Sequence, residues 1–75
     1  VAWRRGEHEQ ALEQIRKAIA SDPRKPQPHN SLAVMLRDLG DFAGAEAAVR
    51  TAVDRMPDYP EALTNLGNIL RETGR

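Results

Sequence analysis

The chain is 75 residues long, and its 11 basic and 11 acidic side chains cancel to a formal net charge of zero. These charges are mixed along the sequence, and the apolar runs are far shorter than the about 20 residues of a membrane helix, so neither nucleic acid nor a membrane is expected as a partner. Cysteine is absent, and His8 and His29 lie too far apart for a short zinc motif, so we expect no metal and no cofactor. The cytoplasm is the default location.

Two stretches of helix are predicted before Pro23. Residues 1 to 5 are expected to form the tail of one helix, and residues 7 to 21 the whole of the next. Ser21 and Asp22 lead out of that helix, because the residue before a proline is pushed away from the helical conformation. This proline therefore predicts a connection between two helices around position 23.

The following helix is predicted from Pro26 to about Leu39. Pro26 and Pro28 suit a helix start, because proline presets the backbone angle and needs no amide partner there. Gly40 can adopt the left-handed conformation that ends a helix, and Asp41 can cap the free amides of the helix that comes next. The turn between the two helices is thus predicted to be two residues long.

The helix after Asp41 has apolar residues at three- and four-residue spacing, which places them in one continuous stripe. The stripe consists of Phe42, Ala45, Val49, Ala52, Val53 and Met56. Pro57 is expected to end this helix, and residues 60 to 73 are predicted to form the last one.

The sequence repeats itself with a period of 34 residues. Ten of the 41 overlapping positions are identical. The identities include glycines and prolines at the predicted helix ends. Gly6 aligns with Gly40 and Gly74, Pro23 aligns with Pro57, and Pro26 aligns with Pro60. Chance similarity between alanine-rich helices would not place glycine and proline at one fixed spacing.

The repeated residues resemble the signature of the tetratricopeptide repeat family. The resemblance lies in the pattern His29-x2-Leu32-Ala33-x2-Leu36, followed by Ala45-x3-Val49 and Pro57, and it returns as Leu63-x2-Leu66-Gly67-x2-Leu70. The chain departs from the signature at two places in each unit. His29 and Leu63 stand where the family has tryptophan, and Leu36 and Leu70 where it has tyrosine.

The resemblance implies an all-α fold of antiparallel helix–turn–helix repeats stacked as a right-handed superhelix, an α-solenoid fragment. Residues 1–25 would be a partial repeat, mainly its second helix, residues 26–59 a complete repeat, and residues 60–75 a partial repeat with its first helix. We therefore expect residues 1–75 to be one piece of a longer array or multidomain protein. Small side chains are expected where helix axes approach closely, namely Ala33 and Gly67 on first helices and Ala11, Ala18, Ala45 and Ala52 on second helices.

In such arrays the first helix of each unit lines an inner wall that binds other polypeptides. The candidate peptide-binding residues of this wall are Asn30, Ser31, Val34, Arg37, Thr64, Asn65, Asn68 and Arg71. Asn65-Leu66-Gly67-Asn68 is similar to repeats in which the asparagine before the Leu-Gly pair forms two hydrogen bonds with a peptide backbone, as in O-linked N-acetylglucosamine transferase arrays. The alternative is that Asn65 is a solvated helix residue.

Arg37 and Arg71 also have two interpretations. They could contact an acidic ligand, but Asp38 and Glu72 are their neighbours in sequence, and a surface ion pair is the commoner arrangement. Asn30 stands where a related subgroup of the family has the lysine that grips the terminal carboxylate of chaperone tails. This departure argues against recognition of such tails.

The resemblance implies a module whose partner is a protein or peptide, bound as an extended peptide or a partner helix on the concave face. We expect it to be non-catalytic, because no residue set resembles a nucleophile with its base. Two alternatives remain open. The piece could be the substrate-presenting arm of a larger enzyme such as a glycosyltransferase, or a self-assembly module. Head-to-tail self-association would use apolar stripes at the two ends, formed by Ala11, Ile15 and Ala18 and by Gly67 and Leu70. The arginine- and alanine-rich composition favours a bacterial source.

Overall fold

The computed structural model describes residues 5–74, without the side chain of Arg5. This part of the chain contains four α-helices, connected by short turns, and no strand. Their bounds are α1 Arg5–Ser21, α2 Pro26–Asp38, α3 Phe42–Arg55 and α4 Pro60–Glu72. The all-α prediction is confirmed. A separate helix tail was predicted for residues 1 to 5; residues 1 to 4 lie outside the described residues, and Arg5 belongs to α1 instead.

The turn between α2 and α3 forms as the sequence predicts. Gly40 has a φ of 86°. The Asp41 N–H donates to the Leu36 carbonyl at 2.8 Å and the Gly40 N–H to the Arg37 carbonyl at 3.0 Å, the two bonds of a Schellman helix end. Asp41 Oδ1 accepts from the Gly44 N–H at 3.0 Å and so caps α3. These bonds satisfy two of the last carbonyls of α2 and one of the first amides of α3.

Gly6 differs from its repeat counterpart Gly40. It lies inside α1, which begins two residues earlier than predicted, and it is not among the glycines with positive φ. Glycine adopts either sign of φ, so the alignment with Gly40 does not by itself require a turn.

Polar contacts hold the connection between α1 and α2. Asp22 Oδ1 accepts from the Arg24 N–H at 3.1 Å, and this bond holds the pKa of the exposed Asp22 carboxyl below its ordinary value. His29 is half-buried, and its ring Nε2 lies 2.9 Å from the Pro23 carbonyl oxygen. Because a carbonyl only accepts, Nε2 carries the proton. His29 therefore anchors the turn to α2 as well as filling space.

The core is centred on the contact between α2 and α3. Ala33 on α2 and Ala45, Val49 and Ala52 on α3 have no exposed surface. Ala62 and Ile69 bury the inner face of α4 equally completely. Larger side chains surround these residues and are only partly buried: Leu32, Leu36, Val53, Met56 and Leu66. Ala33, Ala45 and Ala52 thus have the burial expected for close helix packing, whereas Ala18 and Gly67 are exposed and Ala11 is half-buried.

The helices pack as a series. α1 contacts α2, α2 contacts α3 most extensively, and α3 contacts α4. α2 and α4 also touch each other directly. Short turns make consecutive helices antiparallel, so α2 and α4 are side by side on the same layer. This adjacency creates the surface considered below.

We predict that Gly40→Ala lowers the free energy of unfolding by about 1 to 2 kcal/mol, because an L-residue is strained in the left-handed region. A Cβ at position 40 would meet no atom within 4 Å, so the backbone angle alone would cause the loss. Gly67→Ala is the matched control, since it has the same open space in the middle of α4 and should gain up to about 1 kcal/mol. Urea denaturation measures both, and equal effects would contradict the assignment of Gly40.

Candidate functional site

A shallow groove runs between α2 and α4. It encloses about 420 Å³ and is lined by Asn30, Val34, Pro60, Glu61, Thr64 and Asn65. We call it the α2–α4 groove. Pro60 and Glu61 belong to the first turn of α4, with Thr64 and Asn65 one turn further on. Two helices therefore supply its walls.

A chain of hydrogen bonds crosses the base of the groove. Asn65 Nδ2 donates to Asn30 Oδ1 at 2.8 Å. Asn30 Nδ2 in turn lies 3.5 Å from the Tyr59 hydroxyl, to which it donates. We call this the Asn65–Asn30–Tyr59 chain. It joins both walls of the groove to the loop that precedes α4.

Asn30 lines the groove but is more deeply buried than predicted. It was expected on the open wall, but it is only 8% exposed, and both ends of its amide are used in the chain. A buried amide needs partners for its donor and its acceptor, and here a neighbouring side chain serves each. Asn30 is thus a support of the groove rather than a free hydrogen-bonding group on it.

Tyr59 was not singled out from the sequence. It is 9% exposed, stands immediately before α4, and covers Asn30 from the loop. The only signal in the sequence is an aromatic residue directly before the proline that starts a helix. That signal says nothing about which side chain the aromatic ring covers.

The other predicted residues on α2 and α4 are more accessible. Val34 is 37% exposed. Thr64 is exposed, and Asn65 is half-buried and donates to Asn30. Ser31 is exposed on α2 but does not line the groove. The accessible predicted residues in the groove are therefore one apolar, one hydroxyl and one amide side chain, and Pro60 and the carboxylate of Glu61 complete its lining.

An ion pair links the far ends of α2 and α4. Arg37 Nη2 lies 2.7 Å from Glu72 Oε1, and Arg37 Nε donates to the same oxygen at 2.9 Å. The sequence suggested an ion pair for Arg37, but its partner is on the other first helix rather than the adjacent Asp38. Both side chains are about one-third exposed, so the pair contributes about 0.2 to 1 kcal/mol.

Arg71 makes a different contact. Its guanidinium donates to Asn68 Oδ1 one turn earlier on α4. Both residues lie on the face that continues the α2–α4 groove towards the end of α4. Because Asn68 is neutral, this contact does not offset the positive charge of Arg71.

Three other depressions are larger but less suited to a defined ligand. Two of them, of about 520 and 540 Å³, are lined entirely by residues of α1, so no second helix closes them. The third, of about 560 Å³, lies between α3 and α4 around Val53 and Leu66. The α2–α4 groove is distinguished by Asn65, whose side chain is bonded to a buried neighbour.

Helix pairs stacked side by side, with small residues at the crossings, define a helical repeat protein. The family model described as Tetratricopeptide repeat matches residues 1–55 and residues 32–75. The chain belongs to the tetratricopeptide repeat family. No curated protein and no solved structure matches it.

Repeats of this family generally mediate protein–protein interactions and are typically non-catalytic. Their partners are proteins or peptides. Within residues 5–74, none of the four helices has the length and apolar character needed to cross a membrane.

Proposed function

We propose that this chain is a non-catalytic interaction module that binds an extended peptide along the α2–α4 groove. The observation that supports it is Asn65, whose amide is held by buried Asn30 at the edge of a groove with Val34 and Thr64. An extended segment presents backbone N–H and C=O groups that an amide can meet.

The proposed contacts fall into two groups. Val34, Thr64 and Asn65 would touch the peptide inside the groove, while Asn68 and Arg71 would extend the surface along α4. Ser31 and Arg37 would flank it on α2. Since Arg37 is neutralised by Glu72, it contributes little attraction for an acidic ligand.

The binding energy available to this chain is small. One or two neutral hydrogen bonds contribute about 0.5 to 1.5 kcal/mol each, whereas micromolar affinity requires about 8 kcal/mol. Contact with the partly exposed Val34 does not supply the difference between these two free energies. We therefore expect affinity in the millimolar range, with neighbouring repeats of an array supplying the remaining contacts.

The test is a peptide titration with residue-level mapping. N-acetylated, C-amidated decapeptides that differ in their central residue are titrated at millimolar concentrations into ¹⁵N-labelled protein, which detects binding as weak as expected here. The α2–α4 groove should show the largest shift changes. Thr64→Arg should weaken binding about tenfold or more, because a long charged side chain fills the groove and removes at least about 1.4 kcal/mol.

Thr51→Arg is the matched control, because Thr51 lies on α3 outside the groove and bonds only to the Ala47 carbonyl. It should leave the titration unchanged. Shift changes confined to α1 or α3, or equal losses in the two variants, would contradict the proposed site.

Self-association is a second candidate function, and the repeat itself supports it. In the α2–α3 contact, Ala33 and Ala52 have no exposed surface. Their repeat counterparts Gly67 on α4 and Ala18 on α1 are exposed, and Leu63 beside them on α4 is 45% exposed. The surface that α2 presents to α3 thus recurs on α4, and the surface that α3 presents to α2 recurs on α1. Both recurring surfaces are exposed at these positions.

A second copy of this chain could place its α1 on α4 and reproduce the α2–α3 contact. The zero net charge means that no long-range repulsion opposes such a contact. Because the two surfaces differ, the assembly would be open and head to tail.

Sedimentation velocity up to the millimolar range tests this candidate. The average mass should rise with concentration, and Gly67→Arg should hold the chain as a monomer because the new side chain occupies the close approach. Ser31→Arg, at an exposed position on α2, should still associate. A single monomeric species at every concentration would rule out self-association.

A further inference from the structure

We infer that the α2–α4 groove selects a lysine or arginine side chain of its partner, with the aliphatic stem of that side chain against Val34 and Pro60 and its cationic head at the Glu61 carboxylate. This inference rests on the proposed function, because it specifies which side chain of a bound peptide the groove accepts.

The groove has a negative charge at the start of α4. Of the six described residues that line it, only Glu61 has an ionic side chain. Glu61 is exposed, and no described residue forms an ion pair with it. The first turn of α4 contributes about half a positive unit charge, which reduces the negative charge of the carboxylate but does not cancel it. Glu61 can therefore attract a cation of the ligand.

The opposite end of the groove does not counter this charge. Arg37 and Glu72 neutralise each other there, with 2.7 Å between Nη2 and Oε1. Arg71, the basic residue beside them on α4, is ten residues beyond Glu61, which corresponds to about 15 Å along the helix. Ionic screening acts over about 8 Å at physiological ionic strength, so Arg71 has little effect at Glu61.

The exposed apolar side chain of α2 lies some distance along the groove from the carboxylate. Asn30 and Asn65 are level with each other across the groove, since their side chains are bonded at 2.8 Å. Val34 is one turn beyond Asn30 on α2, and Glu61 is one turn before Asn65 on α4. The two helices run in the same direction, so Val34 and Glu61 are about two turns, or about 11 Å, apart along the groove.

Lysine and arginine have the shape that this arrangement requires. Each has an aliphatic stem that packs on apolar surface and a charged head that extends to a polar partner. Val34 is 37% exposed, and a ligand residue whose main chain lies beside it can extend its stem past Pro60 and bring its head to Glu61. An apolar side chain of the same length lacks the head, and an acidic one meets a like charge.

Blocked amino acids test this requirement without a known partner. The probes are the Nα-acetyl N-methylamides of lysine, norleucine, 2,3-diaminopropionic acid and glutamic acid. Each is titrated near neutral pH and at equal ionic strength into ¹⁵N-labelled protein, and the shifts of the groove amides are followed. The lysine probe should bind about threefold more tightly than norleucine, which lacks the charge, a ratio within the range of one exposed ion pair.

The other two probes separate the contributions of length and charge. The diaminopropionic acid probe has the cation on a short stem, so it should lose most of the advantage of lysine. The glutamic acid probe should bind least. In about 1 M salt, where charges are screened over about 3 Å, lysine and norleucine should bind alike.

Two variants show which carboxylate is responsible. Glu61→Gln should bring the ratio between lysine and norleucine to about one, and Glu61→Lys should favour the glutamic acid probe. Asp58→Asn is the matched control, because it removes the same charge three residues earlier, at an exposed position that does not line the groove. It should leave the ratio unchanged.

The outcomes separate this inference from the proposed function. Equal affinity for the lysine and norleucine probes, or equal losses in Glu61→Gln and Asp58→Asn, would overturn the inference even where decapeptides still map to the groove. If neither decapeptides nor probes shift the groove amides, the proposed function fails and the inference fails with it.

Discussion

The close approach of α2 and α3 is the constraint on which the rest of the structure depends. Ala33 meets the small face of α3 with no exposed surface on either side, and a larger residue there would wedge the helices apart. α4 packs against α3, and its Ala62 and Ile69 are also fully buried. This packing sets the distance between α4 and α2. The spacing of the groove walls is therefore set by how α2 and α4 each pack on α3, rather than by the residues that line the groove.

The polar groups of the groove depend on this packing in a second way. Bringing α2 next to α4 and its preceding loop buries Asn30, and a buried amide without partners would cost about 1 to 3 kcal/mol. Tyr59 and Asn65 supply those partners from 29 and 35 residues away in sequence. The same bonds that relieve the burial of Asn30 also link α2 to α4 and to the loop that precedes α4.

Local features were predictable from the sequence, and long-range pairings were not. Gly40 and Asp41 were identified because each acts on atoms within a few residues, and the stripe of α3 follows from helical periodicity. The family resemblance pointed to the correct fold and to the surface shared by α2 and α4. It could not show that Asn30 is covered by Tyr59, or that Arg37 pairs with Glu72 rather than Asp38, because those choices depend on how two repeats meet in space.

The most direct measurement compares two adjacent substitutions on α2 by urea denaturation. Ala33 has no exposed surface, whereas the next residue, Val34, is 37% exposed. Ala33→Leu should lower the free energy of unfolding by about 1 to 3 kcal/mol through overpacking, and Val34→Leu should change it by less than about 0.5 kcal/mol. Equal stability of the two variants would show that close packing of α2 on α3 does not hold the repeat together.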